Sequence, residues 1–135
     1  MKNEAEEYVS SWGDNVVNYS EQPDICFEQL AWLGPSVYNQ RRIVSAANKY
    51  NLNNGQEITL PCVRHSSKDL HQTLEVLKGA CLLDKGFCAP RNQGFIDQYG
   101  NWWSREDAFV IAKAANQINF ARNGSNVELY SEGLY

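Results

Sequence analysis

A surplus of basic residues is what this sequence most plainly lacks. Its 12 lysines and arginines are outnumbered by 16 acidic residues, leaving a net charge of −4. A protein that grips duplex nucleic acid through its phosphates needs a basic face, so no duplex nucleic acid partner is expected. An anionic small ligand stays open, because a pocket needs only a few arginines that converge locally. Apolar runs of membrane-spanning length are missing too, so no membrane partner is expected. The four cysteines (Cys26, Cys62, Cys81 and Cys88) form no Cys-x-x-Cys pair, and no secretory leader pattern opens the sequence. Reduced thiols in a cytosolic setting are the expectation.

Catalytic signatures are also missing. There is no Gly-x-Ser-x-Gly, no His-Glu-x-x-His, no deaminase-type zinc pattern and no P-loop. Cys62, His65, His71, Cys81 and Cys88 stand at spacings that match no zinc motif, so no metal is expected. Cys62 alternates with apolar positions and reads as a buried, inert thiol. Two histidines could supply an acid–base pair on inventory alone, but nothing directs them to one. The expectation is a protein that is not an enzyme and carries no cofactor.

What is present fits one domain of 135 residues, unusually rich in tryptophan and tyrosine. Residues 1–40 read as an N-terminal arm, with Phe27, Leu30 and Leu33 at three-residue spacing marking one short helix closed by Gly34-Pro35. Residues 36–41 read as a connector. The main domain, 41–135, opens with an apolar run, Ile43 to Ala47. A turn around Asn54-Gly55 follows, then a second strand in which Ile58, Leu60 and Cys62 alternate with polar residues. Pro61 cannot donate to a ladder, which puts that strand at an edge. Ser66-x-x-Asp69 predicts a helix start, with Leu70, Leu74 and Leu77 as its buried stripe ending near Gly79. After a loop, Gly94–Asp97, a turn at Gly100 and Trp102-Trp103 predict two short strands. Ser104-x-x-Asp107 then caps a helix burying Ala108, Ile111, Ala112, Ala115 and Ile118. The tail from Val127 shows strand-like alternation. This order predicts an α+β fold, a small antiparallel sheet with helices packed on one face. Apolar residues at Trp102, Trp103, Phe109, Val110, Leu134 and Tyr135 exceed what one small sheet covers, which predicts a homo-oligomer.

Two junctions between strand and helix carry an arginine: Arg64-His65 and Ser104-Arg105. A helix start favours an anion and gives a cation no help, so an arginine there suggests an anionic neighbour, protein or ligand. A solvated surface arginine is the plain alternative. Phe95 and Trp102-Trp103 could offer a stacking platform to a base, although core packing is the commoner use of such rings. Arg122, just before the helix-breaking Asn123-Gly124, is expected to be exposed.

Four blocks in order, RRIVSAANKY, VRHSSKDLH, NQGFIDQYGNWWSREDAFVIAKAANQI and ELYSEGLY, resemble the type-one Thoeris anti-defence proteins of phages. The resemblance covers Arg41 to Tyr135. It implies a sponge in the host cytoplasm that sequesters cyclic ADP-ribose isomers (glycocyclic ADP-ribose) made by TIR-domain enzymes, without cleaving them. It also implies a homo-oligomer, typically a hexamer, and in some members a separate site for cyclic di- or trinucleotides. Carried over, Phe95 would stack on adenine and Arg122 would grip a phosphate. Ser104, Arg105, Arg41 and Arg42 would line the pocket or the facing subunit, with Arg64, His65 and Trp102 as further lining. Trp102-Trp103 stands where the family pattern suggests a single aromatic or aliphatic residue. Two other readings remain: an enzyme that degrades such nucleotides, and a protein-interaction adaptor.

Overall fold

The computed structural model describes residues 7–9 and 16–135. Trp12 and most of the acidic start of the arm lie outside the described residues. Two short strands, β1 (Glu7–Val9) and β2 (Val16–Asn18), pair antiparallel. The main sheet is built from β3 (Ile43–Asn51), β4 (Glu57–Cys62), β5 (Gln93–Asp97) and β6 (Trp102–Trp103), in the order β4-β3-β5-β6, antiparallel throughout. β3 runs past Ala47 because Asn48 is paired on both sides, with Leu60 and with Gln93. Pro61 lies on the edge strand β4, where a missing donor costs nothing.

Directly paired residues share a face. Ala46, Cys62, Phe95 and Trp103 therefore stand on one side, and Ala47, Gly94 and Pro61 on the other. Two helices cover the first side, α1 (Lys68–Gly79) and α2 (Arg105–Ala114), which makes the chain an α+β protein as its element order predicts. Leu70 and Leu74 of α1 and Ala108, Ile111 and Ala112 of α2 join Ala46, Phe95 and Leu129 in one core. The alanines let α2 lie close to β5. Burial pushes the Cys62 thiol up to about 12, with Asp69 and Cys88 adding to the shift. No helix among the described residues is long and apolar enough to cross a membrane.

Several local expectations shift. The α1 cap is Ser67 rather than Ser66. α2 stops at Ala114, because Asn116 turns left-handed (φ 57°) and Gln117 leaves the helix axis to bond both the N–H and the C=O of Ile43, each at 2.8 Å. Arg122 consequently sits in a separate short helix, α3 (Phe120–Asn123). The tail holds a 3₁₀ turn, Ser131–Gly133, and no strand. The arm carries a 3₁₀ turn, Asp24–Cys26, in place of the expected helix, and Phe27 is already extended. Residues 36–41 are far from a bare connector: Ser36, Asn39, Gln40 and Arg41 are all buried.

Arg41 explains that last difference. Its Nε donates to Ile25 O (2.8 Å) and its Nη2 to Phe27 O (2.9 Å), so the carbonyls that a helix would use internally face a guanidinium instead. Nη1 is ion-paired to Asp97, whose side chain has no exposed surface, and lies 3.6 Å from Glu28. Asp97 also accepts from Trp103 Nε1 (2.8 Å), Tyr99 N (2.8 Å) and Asn101 N (2.9 Å), which shapes the β5–β6 turn. Held this way, the segment docks on α2, where Tyr19, Cys26 and Phe27 pack with Val110 and Ala114. Val110 and Phe109 are thus covered within the chain rather than left for a second copy.

Burial raises the Asp97 pKa, but donation from Trp103, Asn101, Arg41 and Tyr99 outweighs it and leaves the carboxyl below its ordinary value. Its contribution to stability is therefore complete above about pH 4 and is lost as pH falls through the lower folded pKa. Asp97→Asn at neutral pH leaves buried Arg41 with only the more distant, partly exposed Glu28 as counter-charge. We expect a loss of about 3–5 kcal/mol of unfolding free energy, read by urea denaturation.

Candidate functional site

The two arginine-bearing junctions come together in space. β4 delivers Arg64 and His65 just before α1, and β6 delivers Ser104 and Arg105 at the start of α2. Ser104 is the α2 cap, its Oγ accepting from Asp107 N at 3.2 Å. His65 links the two junctions through β5. Its Nε2 lies 2.8 Å from Gly94 O, which can only accept, so Nε2 carries the proton. Its ring meets Phe95 edge-on at 5.1 Å. On the β3 side, Asn48 Nδ2 donates to His65 O at 3.1 Å.

The guanidiniums are held by a side-chain amide, a main-chain oxygen and two tyrosine rings. Arg105 Nη2 donates to Gln93 Oε1 at 2.8 Å, and its Cζ lies 5.1 Å from the Tyr130 ring centroid. Arg64 Nη2 donates to the main-chain O of Tyr135, and its Cζ lies 4.8 Å from that residue's ring. Among the described residues, no Asp or Glu side chain is in ion-pair range of either arginine. Among the described residues, three buried side-chain polar atoms have no hydrogen-bond partner: Arg64 Nη1, Arg105 Nε and Asn48 Oδ1. All three belong to this cluster. Two half-buried cations with unmet donors form a site that favours an oxyanion.

The other residues singled out from the sequence are placed elsewhere or otherwise engaged. Phe95 is wholly buried on the helix side of β5, so stacking on a ligand would require its withdrawal from the core. Arg41 is sealed in its ion pair with Asp97. Arg42 is exposed and donates its main-chain N–H to Gln98 Oε1. Arg122 is exposed on α3. Trp102 lies on the opposite face of the sheet, with Nε1 donating to Ala47 O (3.1 Å) and the Lys49 ammonium 4.1 Å from its ring centroid. Its ring rests on Gly94, where a Cβ would come within 2.5 Å. Only glycine tolerates that approach. Trp102 and Trp103 line an open groove of about 650 Å³ together with Arg41, Lys49, Glu28 and Glu57. Its cations are balanced by those carboxylates and by Asp97, so it shows no charge surplus. Asn48, Gln93, Tyr130 and Tyr135 escaped the sequence reading. The only available signal was the tyrosine-rich close of the chain.

Burial lowers the His65 pKa, as does the Arg105 charge, while the hydrogen bond to Gly94 O and the Glu132 charge oppose the change. The neutral imidazole is therefore the resting form at pH 7. NMR should show His65 titrating below the ordinary value of about 6.5. Because the folded pKa lies below the unfolded one, its contribution to stability is complete above about pH 6.5 and is lost as pH falls through the folded value.

No match to a curated protein or to a solved structure is found. One family model matches, and it spans residues 42–135, which takes in β3 through the tail and so every residue of the Arg64–Arg105 site. The chain belongs to the phage T4 y16D protein family.

Proposed function

We propose that this phage-family protein binds an anionic nucleotide of the cyclic ADP-ribose type at the Arg64–Arg105 site. It holds the ligand without cleaving it, so that a nucleotide immune signal in the host cytoplasm is sequestered. The observation that carries the reading is the pair of half-buried guanidiniums with unmet donors and no Asp or Glu side chain in range. A protein has little to gain from two cations with unmet donors at linked junctions unless an anion answers them. Retention rather than turnover is supported by His65, whose Nε2 proton is committed to Gly94 O. The resemblance to Thoeris anti-defence proteins supplies the ligand class, and the phage family agrees with its setting.

Magnitudes favour a site completed by a second copy of the chain. Charge-assisted hydrogen bonds contribute about 1.5–3 kcal/mol each, and a base stack roughly 1–3 kcal/mol. Two arginines and one stack fall short of the roughly 12 kcal/mol of a nanomolar complex. A homo-oligomer that encloses the ligand would make up the difference through further contacts and exclusion of water.

The test is to incubate the protein with a cyclic ADP-ribose isomer, remove free ligand, heat-denature the complex and weigh the released compound by mass spectrometry. Intact ligand is the expected result; a shifted mass would show an enzyme instead. Arg64→Ala and Arg105→Ala should each weaken capture by about 30-fold or more, as expected when a buried ligand charge loses its partner. Arg122→Ala, on the exposed side of α3, should change affinity by no more than about threefold, in line with surface substitutions. A loss at Arg122 equal to that at Arg105 would move the pocket to α3.

A further inference from the structure

We infer that Leu134–Tyr135, aided by the Tyr130 ring, is a displaceable cover over the Arg64–Arg105 site, and that an anionic ligand enters by taking the place of this tail. The inference rests on the reading of that site as an anion site. Each arginine is capped by a tyrosine of one short segment: Tyr135 on Arg64 and Tyr130 on Arg105. The main-chain oxygen of Tyr135 takes the Arg64 Nη2 donor. Beneath these groups, Arg64 Nη1, Arg105 Nε and Asn48 Oδ1 are shut off from solvent and from any partner. The tail thus occupies the place of the ligand with two ring faces and that main-chain oxygen. A phosphate oxyanion competes for the guanidiniums through hydrogen bonds that are charge-assisted and two-pronged.

The anchoring of the tail limits which part can leave. Asn123 is buried and holds the chain at three points, donating to Ser125 O and Glu128 O (2.9 Å each) and accepting from Tyr130 N (2.8 Å). Gly133 presses on that side chain so closely that a Cβ would lie 2.4 Å from Asn123 Oδ1. Leu129 is wholly buried, and its N–H donates to Arg105 O at 2.9 Å. The segment up to Gly133 is therefore fixed. Beyond it, Leu134 packs half-buried against the core and Tyr135 is exposed. The N–H groups of Leu134 and Tyr135 reach Ser131 O at 3.0 and 3.2 Å, Ala46 N reaches Tyr135 Oη at 3.3 Å, and the Tyr135 side is 38% exposed. Tyr130 needs only a side-chain rotation, since its backbone stays with Asn123.

Inorganic pyrophosphate is the probe, added to the full chain. With the unmodified protein, saturating pyrophosphate should raise amide exchange at Leu134 and Tyr135 by about tenfold and leave Leu129 unchanged, the signature of local opening past a fixed anchor. Exchange at Leu134 and Tyr135 that is unchanged or slowed with pyrophosphate bound overturns the cover. Tyr135→Ala should bind pyrophosphate about tenfold more tightly, because the cost of displacing the cover disappears. Tyr135→Phe, which keeps the ring but loses the bond from Ala46 N, should fall between the parent and Tyr135→Ala. Equal or weaker binding by Tyr135→Ala would make the ring a wall of the site rather than its cover. If the parent shows no pyrophosphate binding, the anion-site reading itself fails, and the cover fails with it.

Discussion

The buried Arg41–Asp97 ion pair is the constraint around which the rest of this structure is arranged. Asp97 ends β5 and organises the turn into β6, while Arg41 gathers the carbonyls of Ile25 and Phe27 from the preceding segment. One pair therefore joins the sheet, its sharpest turn and the segment that docks on α2. Burying two charges is costly unless geometry and further hydrogen bonds compensate. Here nearly all the polar capacity is met: Asp97 accepts from four residues, and the indoles and phenol nearby face the guanidinium, with Trp103 4.8 Å and Tyr99 5.6 Å from Arg41 Cζ. Such a pair fixes register more than it adds net stability. A small sheet with a two-residue edge strand has need of that.

Much of the main domain was legible because its signals are local and agree with one another. The turn at Gly100, the Ser104 cap and the leucine stripe of α1 each combine a conformational requirement with an apolar period, and each is found where those signals place it. Failures cluster where a distant side chain decides the backbone. Nothing near Phe27 announces that Arg41 will take its carbonyl, so three-residue spacing misleads toward a helix. Nothing near Ala115 announces that Gln117 will bridge to Ile43, so the helical stripe was carried one turn too far. The tail alternates like a strand, yet Asn123 gathers its main-chain groups and Leu129 bonds to Arg105 O.

The site was legible in outline for a related reason. A cation at a helix start is locally unfavourable, and this anomaly can be seen in sequence at both Arg64 and Arg105. That His65 and Gly94 would bring the two anomalies together could not be seen. Gly94 serves both faces of the sheet: its carbonyl fixes the His65 tautomer, while its missing side chain admits Trp102 on the far side. The tandem tryptophans therefore serve partly to press β5 into the position from which it orients His65. Phe95, the most attractive stacking candidate by sequence, faces the core, since its neighbours across the sheet, Ala46 and Trp103, share its inward face.

The chain treats its buried arginines in two opposite ways, and that contrast is informative about function. Arg41 meets a carboxylate, a second acid within 3.6 Å and two carbonyls, so its charge is fully answered inside the fold. Arg64 and Arg105 meet rings, an amide and the main-chain oxygen of Tyr135, with donors left over. A purely structural role would select the first arrangement everywhere, because an unmatched buried donor costs about 1–3 kcal/mol and offers nothing in return. Nor is the second arrangement a consequence of too few acids, since the chain carries more acidic than basic residues. Leaving two cations short of partners at adjoining junctions is therefore a stability cost concentrated in one place. It becomes intelligible if the missing charge arrives from outside, carried by a ligand whose binding energy comes from the contacts the fold withholds.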